Sequence, residues 1–287
     1  MQLSKILLPV DFSERSAGAA HYAKALACRF HSELTIAHVF ELSDAIGIVP
    51  ATTAYPDWTE QRREEMRRML QEFHAEEFRN MAARRLLLEG DIARAIVGLA
   101  DAEKMDLIVM PTHGFGRFRR FLVGSVTAKV LHDSDCPVLT GVHLPETRDV
   151  EPIFFRNIVC AIDFDTAGER ALRWAADFAE EFHASLTLVH AIPPIHAGEV
   201  SYCDPGLPMM LQQMAEEKAA ELQNQCGTNA PVVLETGSVA HAVCKATAAI
   251  RGDLVVVGRH EDPGWMGRLR ANAYAIVRDS PCPVVSI

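Results

Sequence analysis

The stretch KILLPVDFSERSAGAAHYAKALACRFHSELTIAHVFE, residues 5–41, has a second version in the same chain, NIVCAIDFDTAGERALRWAADFAEEFHASLTLVHAIP, residues 157–193. The offset is a constant 152, so that Asp11 corresponds to Asp163, Phe12 to Phe164, Phe30-His31 to Phe182-His183 and His38 to His190. Two further runs repeat in the same order. GDIARAIVGLADAEKMDLIVMPTH (90–113) matches GSVAHAVCKATAAIRGDLVVVGRH (237–260), pairing Gly90 with Gly237 and Asp106 with Asp253, and DSDCPVL (133–139) matches DSPCPVV (279–285). Ungapped runs of this length in one order are a duplication. The shrinking offsets mark small deletions in the second copy.

Each copy alternates short apolar runs with amphipathic segments. ILLPV and IVCAI read as buried strands. Ala19, Tyr22, Ala23, Leu26 and Phe30 form a helical stripe, matched by Ala171, Leu172, Ala175, Phe178, Ala179 and Phe182. In the first copy there follow a strand at 34–39, a variable insert, a charged helix over about 58–84, a strand at 85–89, a helix at 92–103, a strand at 107–110, a glycine-containing loop, a last helix and the strand PVLTGV. Such alternation implies α/β architecture: two tandem, doubly wound, five-stranded parallel sheets of the Rossmann-like kind. The expected boundaries are a first domain at 1–143, an exposed connector at 144–155 (LPETRDVEPIFF) and a second domain at 156–287. Doubly wound sheets bind ligands beyond the C-terminal strand ends, where strand order reverses.

The chain carries 28 Lys and Arg against 38 Asp and Glu, a formal charge of −10. That balance argues against a nucleic-acid or anionic-membrane binder. The charged helix alternates sign, as a solvated face does. Seven scattered cysteines, with no CxxC, fit reduced thiols in a cytoplasm. Cys136 and Cys282, each before a proline, read as buried thiols. His196, Cys203 and Cys226 match no zinc spacing. No run is apolar for long enough to span a membrane, and the N-terminus lacks the pattern of a signal peptide.

The loop after the fourth strand, MPTHGFGRFRRFLVGSVTAKVL (110–131), ends in a helix opened by Gly124-Ser125. The unpaired first-turn amides and positive dipole end of such a helix attract anions. Ser125 and Thr127 offer hydroxyls, and Arg117, Arg119 and Arg120 add positive charge. The arginines read more as a solvated loop face than as a specific site. His113 and His260 have no nucleophile or carboxylate fixed beside them by sequence, which argues against catalysis. His38 and His190 read as satisfied core histidines.

This loop, PVDFS at the first strand end and the Gly90 segment resemble the universal stress protein A family, over nearly the whole of both copies. ATP-binding members of that family carry G-x2-G-x9-G-[S/T] after strand four. Here the string runs from Pro111 through Gly114 to Gly124-Ser125, with proline at the first glycine position. The resemblance implies that Asp11 and Val39 meet an adenine, that Met110, Pro111, Thr112, His113 and Gly114 line ribose and phosphates, that Gly124, Ser125 and Val126 hold phosphates, and that Pro9 and Val10 belong to the same nucleotide site. It implies ATP or a related adenine nucleotide, Mg2+ only along with the nucleotide, a cytoplasmic stress-response role without enzymatic turnover, and pairing through the last strand, either as a homodimer or as a pseudo-dimer within one chain. Pro111 lacks an N–H and the φ freedom of glycine, so weakened binding is expected. Asp11 reads equally as a helix cap. In the second copy Gly258 restores the first glycine, but Glu261 replaces Gly114, Asp262 follows, and Arg270-Ala271 or Ala271-Asn272 replaces Gly-Ser. That copy is expected to act as a structural partner. The competing readings are a ligand-free interaction scaffold and an adenylating enzyme. The second lacks the HIGH-like or SGGxD motif of its class.

Overall fold

The computed structural model describes residues 1–41, 55–114, 123–141, 153–194, 206–259 and 271–287. They form two compact units, 2–153 and 154–287. The first contains β1 (Lys5–Pro9), α1 (Glu14–Phe30), β2 (Glu33–Phe40), α2 (Tyr55–Glu72), β3 (Ala83–Glu89), α3 (Ile92–Glu103), β4 (Leu107–Val109), α4 (Ser125–Asp133) and β5 (Val138–Thr140). The second contains β6 (Asn157–Ala161), α5 (Thr166–Phe182), β7 (Ser185–Ile192), α6 (Leu207–Cys226), β8 (Val232–Thr236), α7 (Val239–Ala249), β9 (Leu254–Val257), α8 (Ala271–Asp279) and β10 (Val284–Ser286).

The strand order is β3-β2-β1-β4-β5 in the first unit and β8-β7-β6-β9-β10 in the second. All pairings within each are parallel. Ile6, Leu7 and Leu8 are wholly buried, as are Ile158, Val159 and Cys160 at the matching positions. Strands covered on both faces need such unbroken apolar runs, and each of these large side chains contributes roughly 1.5–3 kcal/mol of burial. Order reverses between β1 and β4 and between β6 and β9, which opens a crevice at each switch point.

Several residue pairs owe their repetition to one structural device. Gly90 and Gly237 have φ of +119° and +145°, open to glycine alone, and their amides donate to Phe40 O (3.2 Å) and Ile192 O (3.0 Å). Asp106 accepts from Ser4 N (2.7 Å) and Lys5 N (2.9 Å), and Asp253 does the same for Arg156 N (2.7 Å) and Asn157 N (3.2 Å). Each carboxylate thereby satisfies the first amides of the central strand. His31 and His183 end α1 and α5 in the left-handed conformation.

Two spans differ from expectation. The charged helix stops at Glu72 rather than near 84, and β3 begins at Ala83. At that stop the Arg85 guanidinium, from β3, donates to the Leu70 carbonyl in the last helical turn and to Phe73 O (2.9 Å) just past it. Phe73 and Phe78 then turn into the core. Phe155, the last residue of the expected connector, is buried against Phe178 (5.2 Å between ring centroids) and Phe182 (5.1 Å). Residues 144–152 of that connector, Arg117, Arg119, Arg120, His196, Cys203, His260, Glu261, Asp262 and Arg270 lie outside the described residues.

Candidate functional site

In the first unit the β1/β4 crevice holds a cavity of about 160 Å3. Pro9, Val10 and Asp11 reach it from β1, Val39 from β2, Met110, Pro111 and Gly114 from the loop after β4, and Val126 from α4. Thr127, read from the sequence as a hydroxyl donor, also lines it, and Ser16, Ala37, His38, Ile92 and Ile96 complete the lining without having been expected there. Ile92 and Ile96 had a signal in the sequence, since they lie one turn apart on α3 immediately after the Gly90 turn. Thr112, His113, Gly124 and Ser125 were expected at the site and are not among its lining residues.

The start of α1 organises one wall. Ser13 caps the helix by accepting from Ser16 N (3.3 Å). Asp11 Oδ1 accepts from Ser13 N (3.0 Å), Ser13 Oγ (2.5 Å) and Ser16 Oγ (2.5 Å), and Asp11 N donates to Ser16 Oγ (3.1 Å). Phe12, between these groups, takes φ of +63°, a costly conformation for an aromatic residue. The other oxygen, Oδ2, lies against Gly114, where a Cβ would stand only 2.2 Å from it. Arg15 Nη1 donates to Gly114 O (2.8 Å), so an arginine fastens the loop to α1.

The opposite wall is the α4 start. Gly124 N donates to Thr112 O (2.8 Å), and Gly124, as the N-cap residue, brings no side chain to cap α4. The first turn of such a helix carries the positive end of its dipole. Thr127 does not offer its hydroxyl to a ligand: it is buried and donates to Pro111 O (3.0 Å), pinning the proline to α4. Thr112 Oγ1 is buried with no hydrogen-bond partner among the described residues. Lys129 meets Asp91 at 3.1 Å. The Arg94 backbone amide, and then Lys129, hold that carboxylate below its usual pKa.

His38 Nδ1 donates to Val10 O (2.7 Å), since a carbonyl only accepts, and its ring lies 4.3 Å from that of Phe12. Burial lowers its pKa. His190 repeats both contacts, with Ile162 O (3.0 Å) and Phe164 (4.3 Å). Among the described residues no cluster of side chains could hold a metal ion, and no helix is long and apolar enough to cross a membrane. No disulfide joins the six described cysteines. Burial raises the Cys282 thiol to about 12, and Cys136 is likewise buried.

The repeat, the sheet order and the crevice agree with comparisons to known proteins. The model of the Universal stress protein family matches twice, at residues 3–140 and 154–287. The chain belongs to the universal stress protein family, as two copies in tandem. It is similar to a universal stress protein of Methanocaldococcus jannaschii, 36% identical over 137 residues, a match covering 47% of this chain and 79% of the relative. A universal stress protein of Thermus aquaticus is 35% identical over 137 residues, covering 47% of this chain and 95% of its own length. The crystal structure of a universal stress protein from Archaeoglobus fulgidus has the same fold over 100% of this chain and 98% of its own, with a TM-score of 0.69 and 23% identity.

Proposed function

We propose that the N-terminal copy binds ATP or a related adenine nucleotide in the β1/β4 crevice, and that the protein serves a cytoplasmic stress response through occupancy rather than turnover. The observation that carries this reading is the convergence of Pro9, Val10, Asp11, Val39, Met110, Pro111, Gly114 and Val126 on one cavity beside the glycine-capped start of α4. About 160 Å3 is below the roughly 300–1,000 Å3 usual for a whole ligand. The cavity suits the base, and Gly124, Ser125 and Val126 would hold the phosphates. The lack of a disulfide among the described cysteines and family membership support the cytoplasmic stress-response part.

The test is calorimetric titration of ATP and adenosine into the intact chain and Gly124→Asp. A carboxylate about 4 Å from a phosphate costs roughly 1–4 kcal/mol per charge pair at partly solvated sites. ATP affinity should fall at least tenfold while adenosine, lacking phosphates, keeps its own. An unmutated protein without saturable ATP binding, or a variant with undiminished ATP affinity, refutes the reading.

A further inference from the structure

The crevice of the second unit holds a cavity of about 320 Å3, twice that of the first. It opens between the ends of β6 and β9 and the starts of α5 and α8. Its floor is apolar, formed in part by Ile162, Val189, Val243 and Ile276. The polar side chains on its wall are Asp163, Asp165, His190 and Asn272, and no lysine or arginine is among its described lining residues.

The two strand-one aspartates, equivalent in sequence, are not equivalent in structure. Asp11 is tied back by the Ser16 hydroxyl. The matching residue in the second copy is Gly168, whose position lies so close to Asp163 O that a Cβ would stand 1.8 Å away. Without a hydroxyl to hold it, Asp163 is exposed, and among the described residues its carboxylate keeps one hydrogen bond, from Phe164 N (3.2 Å). The cap of α5 is a carboxylate as well, Asp165 accepting from Gly168 N (2.9 Å). His190 uses Nδ1 on Ile162 O, which leaves Nε2 an acceptor in the neutral ring. Lys218 lies over the Phe164 ring (5.7 Å to the centroid) and is not a lining residue.

We propose that the C-terminal copy is a second binding site of opposite preference, taking a small amidine- or amine-bearing cation with an apolar ring rather than a phosphorylated ligand. Carboxylates and an imidazole acceptor meet donors, and charge-assisted bonds to Asp163 are the strong ones. The apolar floor receives the ring, and a volume near the lower end of the roughly 300–1,000 Å3 range suits one ring system. A polyphosphate is repelled at each of its charges by the same wall. This inference does not depend on nucleotide binding in the N-terminal copy.

The experiment is an NMR titration of the full chain with benzamidine, a planar amidinium on an apolar ring. Saturable one-to-one binding is expected, with shifts at Asp163, His190 and Asn272. Asp163→Asn, which removes the charge at constant shape, should weaken it at least fivefold. Asn272→Lys, which adds a cation at an exposed lining position, should do the same, while Gly124→Asp in the other copy leaves it unchanged. Absence of saturable binding overturns the proposal. So do affinities untouched by both Asp163→Asn and Asn272→Lys, or binding lost in Gly124→Asp.

Discussion

Replacing Gly168 by alanine tests how tightly the second copy's helix start is docked. A Cβ built there stands 1.8 Å from Asp163 O, 2.8 Å from its carbonyl carbon and 3.1 Å from its nitrogen. Carbon–oxygen contacts settle near about 3.3 Å, so the turn must open by roughly 1.5 Å. All three atoms are backbone, and neither side yields cheaply. Ala161 is paired on both flanks, with Val189 and Val257, while Asp165 holds Gly168 N from the cap. Overpacking of this kind costs about 1–3 kcal/mol, and the contact with rigid backbone argues for the upper end. Alanine's better helix propensity returns about 1 kcal/mol at most. The net loss is about 2 kcal/mol, a fall of roughly 4–10 °C in the melting temperature of a unit this size. Scanning calorimetry measures it, with hydrogen exchange at β6 and α5 to assign the weakened unit. Gly98→Ala is the control. It lies mid-helix in α3 with nothing within 4 Å of its Cβ, and should stabilise the first unit by about 0.5–1 kcal/mol. A Gly168→Ala protein as stable as the parent, or more so, would falsify the close-docking account.

Thr127→Val removes the bond to the Pro111 carbonyl and should lower stability by about 1–2 kcal/mol in urea unfolding. ATP affinity per folded molecule should change less than threefold, because that hydroxyl serves Pro111 rather than a ligand. The lowered pKa of His38, due first to burial, makes stability pH-dependent with a definite sign. Above about pH 6.5 the ring is neutral in both states and its contribution is complete. As pH falls below that, the unfolded chain takes up the proton first, and stability declines until the folded ring is protonated too. Unfolding midpoints between pH 5 and 8 should show this slope, and His38→Gln should flatten it.

The parts of this fold legible in the sequence are those set by local chemistry repeated twice. Buried central strands show as unbroken apolar runs. The paired glycines at 90 and 237 mark turns that need positive φ. The α2 stop at Glu72 was not legible, because alternating charge continues past it and the cap comes from Arg85, on the next strand. At the site, the residues flanking the strand ends were readable by their position after β1 and β4. Thr127 misled because a hydroxyl near a helix start looks the same whether it faces a ligand or a buried carbonyl. The roles of Asp106 and Asp253 were equally hidden: their spacing announces a repeat, but only the sheet brings each to the opening amides of a strand about a hundred residues away.

Sheet order places a crevice in each copy, but three residues at the helix start decide its polarity. In the first copy they are Ser13, Arg15 and Ser16: a neutral cap, a guanidinium on the Gly114 carbonyl and a hydroxyl that restrains Asp11. In the second they are Asp165, Ala167 and Gly168: a charged cap, an alanine in place of the arginine, whose contact with the loop passes to Arg170 (2.9 Å to Arg259 O), and no hydroxyl on Asp163. Gly258, which restores the glycine missing at Pro111, would place a Cβ 2.6 Å from Ala167 O. Its lack of a side chain is required by packing against α5, whatever the crevice holds. A glycine that looks like a phosphate-binding remnant is thus explained by the close approach of the β9 end to α5, and the charge of the surrounding wall is the better guide to what each copy can receive. In the first crevice the strand-one carboxylate is tied back by two serine hydroxyls, whereas in the second two carboxylates border an apolar floor.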